Sequence, residues 1–293
     1  MRGTTALGRV KPLLRRLVAA GGVLATIATA VVFAGEPAMA RSRPSGYTID
    51  GIDTAKYQHP NGAAINWGQV RSSGVEIATM KATRGTDVTD PWFTKDFTAA
   101  RAAGLAVAPY HFYAASSPNT GSAQADHFIA ALRSVGYTGQ RAGELPPVFD
   151  FEWDEANGGC WPYVTVADAK AWLDKVQKAF GRKPIIYTTK SFISSCLGGS
   201  TAFGGYPLQV AEWSEVNSPK LPAGWNTWLL WQYSCSARVP GVADTDVCVD
   251  VFNGTQATLN AMANFDAAEP EDATGEAPDF DGDGRPDFVG TLS

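Results

Sequence analysis

Histidine and clustered basic residues are scarce in this chain. Three histidines occur, at positions 59, 111 and 127, and no block of lysine or arginine follows residue 40. The formal net charge is −5, and an acidic chain without a basic patch is a poor general binder of nucleic acid. The chain also lacks a G-x-S-x-G nucleophile elbow and the glycine-rich fingerprints that bind phosphates or dinucleotides. Serine-hydrolase and nucleotide-dependent chemistry are therefore disfavoured, and no cofactor is expected for catalysis.

The first 40 residues have the pattern of an export signal. Five basic residues within the first 16 positions precede an apolar stretch from Leu17 to Ala34, and Ala38-Met-Ala40 supplies small residues before Arg41. An uncleaved anchor is the alternative, because about 18 largely apolar residues approach membrane-spanning length. The small residues favour cleavage, which would leave an N-terminal tail over residues 41–46 and a formal charge of about −9. We therefore expect a secreted, extracellular protein that has no membrane association after cleavage.

The four cysteines all lie in the portion that export would leave, at Cys160, Cys196, Cys235 and Cys248. An even number of cysteines in an exported chain predicts two disulfides. Three pairings are possible, and proximity in sequence favours Cys160 with Cys196 and Cys235 with Cys248 without deciding between them. A zinc site is the weaker alternative, because no C-x-x-C spacing occurs and the histidines lie far from the cysteines in sequence.

Residues 47–263 alternate short apolar runs with helical patterns, as expected for one α/β domain. Predicted strands are Thr48–Ile52, Ile77–Lys81, Ala106–Phe112, Pro147–Phe151, Pro184–Thr188, Leu208–Ala211, Trp228–Tyr233 and Val247–Val251. Predicted helices are Trp67–Ser73, Pro91–Ala103, Ser122–Val135, Val166–Phe180 and Thr255–Ala263. The alternation implies a parallel sheet, and the length favours a closed TIM-like (β/α) barrel over an open sheet. Few helical patterns in the last quarter predict an incomplete ring of helices.

Asp150-Phe-Glu152 follows the apolar run Leu145-Pro-Pro-Val-Phe149. Side chains two residues apart on a strand point to the same side, so both carboxylates would project together. Such a pair suits cleavage of a sugar-sugar bond, because one carboxyl donates a proton to the leaving oxygen while the other stabilises positive charge at the sugar carbon. A solvated or salt-bridged pair is the alternative, since D-x-E arises often by chance.

In a barrel of this kind, chemistry takes place at the C-terminal ends of the strands. That rule places a set of side chains around one mouth: Asp53, Lys81, Tyr110 to Tyr113, Asp150, Glu152, Tyr187, Glu212, Trp213 and Gln232. Tyr110, Tyr187, Trp213 and Gln232 are the candidate substrate-binding residues among them. The alternative for any one charged residue is an ion pair at the rim. His111 is predicted to be a core or rim histidine.

Composition changes after residue 263. Residues 264–278 combine acids with alanine, proline and glycine and have no basic residue, which indicates an acidic linker. Residues 279–293 contain four aspartates that flank Gly284 with the spacing of a calcium-binding loop: Asp279, Asp281, Asp283 and Asp287. Gly290 stands where an EF-hand has its glutamate, and the segment resembles one partial FG-GAP or VCBS repeat. It is either a remnant of a second domain or a weak calcium site.

Seven motifs resemble, in order, those of the glycoside hydrolase family 25 lysozymes, the Chalaropsis-type muramidases secreted by actinomycetes. They are Gly51-Ile-Asp53, Lys81-Ala-Thr-Arg-Gly85, Gly104 to Phe112, Pro147 to Glu152, Ile185 to Thr188, Trp231-Gln-Tyr233 and Asp250 to Gly254. The resemblance implies an eight-stranded barrel with few outer helices. It also implies hydrolysis of the β-1,4 bond between N-acetylmuramic acid and N-acetylglucosamine in peptidoglycan.

The resemblance further implies roles for individual acids. Glu152 is similar to the general acid/base, Asp150 to its partner carboxylate and Asp53 to a third active-site acid. Muramic sugars carry a 2-acetamido group that can attack the anomeric carbon, so a substrate-assisted route is expected.

Three motifs depart from the family pattern, at four positions. Arg84 replaces a glutamate found in many relatives, and Thr54 and His59 alter the opening motif. Cys248 stands where many members have an aspartate, so Asp250 becomes the substitute acid and candidate substrate contact.

Two other functions compete with a secreted muramidase. A non-catalytic glycan-binding module on the same barrel would need a lost acid, and Asp53, Asp150 and Glu152 are all present. A chitinase-like enzyme would show D-x-x-D-x-D-x-E, but Pro147, Val148 and Phe149 precede Asp150. The expected partner is therefore the peptidoglycan glycan strand, bound by a monomer without nucleic acid.

Overall fold

The computed structural model describes residues 42–154, 156–244 and 246–265. The predicted signal peptide over 1–40, almost all of the acidic linker and the aspartate-rich loop over 279–293 lie outside these residues. No helix in the described ranges is both long and apolar enough to cross a membrane. Those ranges also contain no group of three or more histidine, cysteine or acidic side chains that could hold a metal ion.

Eight strands form the barrel, and a two-residue strand extends one of them. The strands are β1 (Asp50–Thr54), β2 (Val75–Arg84), β3 (Val88–Thr89), β4 (Ala106–Phe112), β5 (Val148–Asp150), β6 (Ile185–Thr188), β7 (Leu208–Ala211), β8 (Leu230–Ala237) and β9 (Val247–Phe252). The hydrogen-bonded order is β1-β9-β8-β7-β6-β5-β4-β2, and pairing of β1 with β2 closes the ring. The short β3 pairs with the end of β2. The predicted TIM-like α/β barrel is confirmed.

The last strand corrects the prediction of an all-parallel sheet. β9 runs antiparallel to both β8 and β1, whereas the other neighbours in the ring are parallel. No helix lies between β8 and β9 in the described part of that connection, and without a crossover the chain simply turns back. The barrel mouth therefore meets the N-terminal end of β9, where Cys248 pairs with Asp53 in register.

The helices surround the barrel unevenly. They are α1 (Trp67–Ser72), α2 (Phe93–Ala102), α3 (Gly121–Ser134), α4 (Val166–Phe180), α5 (Lys190–Cys196) and α6 (Gln256–Met262). Among the described residues no helix separates β7 from β8, which agrees with the predicted thin last quarter. The prediction for α4 matches its bounds because its end signals are strong: the Thr165 side chain accepts from the Asp168 N–H, and Gly181 closes the helix at φ 67°.

Alternate residues of each strand supply two separate cores. On β5, Val148 packs inside the barrel, whereas Phe149 packs in the outer layer between sheet and helices. In that outer layer Phe149 lies 4.6 Å, centroid to centroid, from Trp172 of α4. His111 belongs to the same layer and is fully buried, with Nδ1 2.7 Å from Thr83 Oγ1 and Nε2 3.0 Å from Gln124 Oε1. Burial lowers the His111 pKa to about 3, so this histidine is the neutral core residue that the sequence predicts.

Candidate active site

The strand end of β5 aims Asp150 and Glu152 into the barrel mouth. Phe151 lies between them and is fully buried in the outer core, where its ring is 5.0 Å from that of Phe192. The Phe151 N–H donates to the carbonyl of Tyr187 at 2.9 Å, which keeps the chain extended past the strand. Because alternate side chains point to opposite faces, burying Phe151 outside turns Asp150 and Glu152 inward.

These two acids meet Asp53 in one cavity at the mouth, with a volume of about 310 Å³. Its lining consists of Asp53, Ala55, Tyr57, Gln58, Lys81, Tyr110, Phe112, Asp150, Glu152, Tyr187, Trp213, Gln232, Cys235 and Cys248. All three acids predicted as catalytic are present, as are four of the five candidate substrate-binding residues. Carboxyl groups and aromatic rings both line the cavity, a combination that suits a sugar ring.

Asp53 has an unusual ionisation. Burial raises its pKa to about 8, with smaller contributions from the charge of Asp250, which raises it, and of Lys81, which lowers it. Glu152 adds a further, smaller increase. At neutral pH Asp53 is therefore mostly protonated, so it places no third negative charge beside Asp150 and Glu152.

Asp250 lies beneath the cavity and does not line it. It is 2% exposed, and its Oδ1 accepts from Gln209 Nε2 at 2.9 Å. Burial raises its pKa to about 7, against a smaller opposing effect of the Gln209 hydrogen bond. The antiparallel course of β9 explains this depth, because Asp250 pairs with Gly51 in register, two residues below Asp53. Asp250 thus acts on Asp53 through its charge, and the structure gives it no place on the cavity wall.

Tyr187, Trp213 and Gln232 form a hydrogen-bonded cluster on one wall. Tyr187 Oη donates to Gln232 Oε1 at 3.0 Å, and Trp213 Nε1 donates to the same oxygen at 3.2 Å. The Gln232 amide is thereby oriented, and its Nε2 group has no hydrogen-bond partner among the described residues. Burial also raises the pKa values of Tyr110 and Tyr187, so both phenols stay protonated. The wall consequently offers neutral donors and aromatic faces to a ligand.

The positions that depart from the family pattern have structural partners. Arg84 lies over the rings of Phe112, at 5.4 Å, and Trp161, at 5.9 Å, beside the cavity. His59 is buried away from it, stacked on Trp92 with Nε2 2.8 Å from Asp96 Oδ2. Neither residue lines the cavity.

Both disulfides join the partners that sequence proximity favours. Cys160 pairs with Cys196 at the end of α5, and Cys235 on β8 pairs with Cys248 on β9. The second disulfide lines the cavity, a role that cysteine spacing did not predict. Tyr57 and Gln58 were also missed, because they lie in a short 3-10 turn after β1 where apolar periodicity carries no signal.

A wider groove opens beside the cavity, with a volume of about 680 Å³. Glu152 and Trp213 line both spaces, so one extended ligand can occupy them together. Trp213 is 55% exposed, which is high for an indole and typical of a residue that stacks on a sugar or another ligand.

A family model of glycosyl hydrolases family 25 matches residues 52–242. The chain belongs to this family. Family 25 comprises lysozymes and muramidases, which hydrolyse peptidoglycan, so the glycoside hydrolase activity predicted from the motifs is confirmed. The family match begins within β1, runs past the end of β8 and includes Asp53, Asp150 and Glu152.

Relatives within family 25 are similar over most of this chain. Lysozyme M1 of Streptomyces globisporus is 35% identical over 221 residues, which are 74% of this chain and 71% of the relative. The N,O-diacetylmuramidase of a Chalaropsis species is 34% identical over 194 residues, 64% of this chain and 88% of the relative. The crystal structure of a lysozyme from Streptomyces coelicolor superposes with a TM-score of 0.63 at 33% identity, over 74% of this chain and 98% of that one.

Proposed function

We propose that this chain is a secreted lysozyme that hydrolyses the β-1,4 bond between N-acetylmuramic acid and N-acetylglucosamine in peptidoglycan. The observation that carries the proposal is the meeting of Asp53, Asp150 and Glu152 in one aromatic-walled cavity. Relatives named lysozyme and N,O-diacetylmuramidase support the same substrate.

Glu152 is the proposed general acid and base. It is half-buried, and Trp161 Nε1 donates to its backbone carbonyl at 3.0 Å, which anchors the residue at the rim. In the first step Glu152 donates its proton to the glycosidic oxygen as the bond to the muramic C1 breaks. In the second step Glu152 takes a proton from water, and the resulting hydroxyl attacks C1.

Asp150 is the proposed stabiliser of a substrate-assisted intermediate. The acetamido oxygen of the muramic sugar forms a bond to C1 as the leaving group departs, which yields a cyclic oxazolinium ion. Asp150 accepts a hydrogen bond from the acetamido N–H and balances the positive charge. Water then opens the ring with net retention at C1. A sugar found covalently bound to Asp150 by mass spectrometry of the working enzyme would contradict this route.

Digestion of defined peptidoglycan by wild type and Glu152→Gln tests the proposal. The substitution keeps the shape and removes the transferable proton, so kcat should fall by roughly 10²- to 10⁴-fold. Reducing-end analysis of wild-type products should find muramic acid ends. N-acetylglucosamine ends would identify a glucosaminidase, and release that does not depend on Glu152 would contradict the catalytic assignment. Binding without any release by wild type would instead favour a non-catalytic glycan-binding module.

Export is the proposed localisation. The two disulfides support it, because such bonds persist in oxidising compartments. N-terminal sequencing of protein recovered from culture medium should start at Arg41. Full-length chain held in the membrane fraction would instead favour an uncleaved anchor.

A further inference from the structure

The groove beside the catalytic cavity has a charge pattern that cleavage of a neutral sugar bond does not explain. Lys190 and Lys220 both line it, and both are exposed. Neither lysine forms an ion pair or a hydrogen bond with any described residue. The lining also includes the acids Glu152 and Glu212, so the groove has charges of both signs. In an acidic chain, at −5, its two ammonium groups are the positions that can pair with the carboxylates of a ligand.

The framework around Lys190 is rigid. Lys190 is the first residue of α5, whose Phe192 and Ile193 are fully buried and whose last residue, Cys196, is joined to Cys160. The Thr189 hydroxyl caps this helix by accepting from the Phe192 N–H at 3.0 Å. The ammonium group of Lys190 is therefore attached to a fixed helix at the edge of the groove.

Hydroxyl groups line the same groove as the two lysines. Ser191, Ser194 and Ser195 all line the groove from α5, because residues three and four apart share one face of a helix. The hydroxyls of Ser194 and Ser195 have no hydrogen-bond partner among the described residues. Hydroxyls beside ammonium groups suit a ligand that has both amide carbonyls and carboxylates.

We propose that this groove binds the carboxylates of the peptide stem attached to muramic acid, an inference that rests on the proposed function. The lactyl group of muramic acid carries a short peptide with free carboxylates, whereas the sugar hydroxyls and acetamido groups are neutral. Glu152 and Trp213 belong to both spaces, so a muramic unit held at Glu152 can direct its peptide into the groove. Lys190 and Lys220 then pair with carboxylates, and the α5 hydroxyls donate to peptide carbonyls.

Two forms of one substrate test the inference. Glycan strands freed of phosphate polymers are prepared with intact stems and, after amidase treatment, without them. The readout is the ratio of kcat/KM on the two forms, so a general loss of activity cancels. Wild type should prefer the stem-bearing form by roughly three- to tenfold, because exposed charge pairs contribute modestly. Raising the ionic strength should reduce this preference.

The double variant Lys190→Gln/Lys220→Gln should bring the ratio close to one. Lys170→Gln/Lys178→Gln is the matched control, because it removes the same charge from α4, which does not line the groove, and its ratio should equal that of wild type. A wild-type ratio of one, or a preference that survives loss of both groove lysines, would overturn the inference while leaving muramidase activity intact. Failure of wild type to cleave either form would instead overturn the proposed function itself.

Discussion

The pKa values of two acids near the site, Asp53 and Asp250, are raised to about 8 and about 7, chiefly by burial. Both are therefore largely protonated in mildly acidic solution. A protonated Asp53 then adds no negative charge beside Asp150 and Glu152. A protonated Asp53 at the cavity wall can also donate a hydrogen bond to a sugar.

Asp53→Asn should change kcat/KM little at pH 6 but should strongly change how kcat/KM depends on pH. The amide resembles the protonated acid, so kcat/KM at pH 6 should fall by less than about tenfold, as for a weakened neutral hydrogen bond. Wild-type activity should decline above about pH 8, as Asp53 ionises and repels the charge on Asp150. The variant should keep its activity there, as pH profiles on defined peptidoglycan would show.

Asp250→Asn provides the comparison for that experiment. The Asp250 charge raises the Asp53 pKa, so its removal should move the alkaline decline to lower pH. If activity declines at the same alkaline pH in Asp53→Asn as in wild type, the decline reflects the ionisation of another group.

Most of the cavity was predictable residue by residue, because strand ends in a barrel converge on one mouth. Asp53, Tyr110, Tyr187 and Gln232 all lie where that rule places them. Asp250 does not, because the rule assumes a parallel strand.

Among the elements, α5 and β9 mark where local sequence stops predicting the fold. The α5 segment is seven residues long and contains three serines, so neither helix propensity nor periodicity identifies it. Its Thr189 cap and its disulfide to Cys160 stabilise it instead. The direction of β9 depends on how the sheet closes, which apolar runs cannot reveal because alternation is the same in either direction.

The two disulfides should differ in what their removal changes. Cys160→Ser/Cys196→Ser opens a link across 36 residues, and the chain-entropy model predicts a loss of about 3–4 kcal/mol. Cys235→Ser/Cys248→Ser opens a link across 13 residues and should cost about 1 kcal/mol less. Because Cys235 and Cys248 line the cavity that contains Asp53, their double substitution should lower kcat/KM more than that of Cys160 and Cys196. Denaturant unfolding and kinetics of both variants measure the two effects, and equal kinetic losses would contradict the assignment.

At the scale of the whole molecule, the interior of the barrel closes around ionisable groups as well as apolar ones. Ile77, Val148 and Leu230 fill the inner core, and Asp250 lies near the same interior at 2% exposure. A carboxylate in such surroundings is costly when charged and tolerable when protonated. The barrel should therefore be sensitive to rising pH in a way that an apolar barrel is not.

The free energy of unfolding should consequently fall as pH rises through about 7 to 8. The folded pKa values of Asp53 and Asp250 lie above the ordinary value of 3.8, so the folded chain holds protons that the unfolded chain releases. The stability they contribute is complete below about pH 4 and is lost as pH passes the folded values. Relative to wild type, Asp53→Asn/Asp250→Asn should gain at least about 2 kcal/mol between pH 4 and pH 9. Urea unfolding at a series of pH values measures this gain. Asp87→Asn/Asp174→Asn, at exposed positions, is the control, and parallel stability curves for all three proteins would show that Asp53 and Asp250 do not titrate in this range.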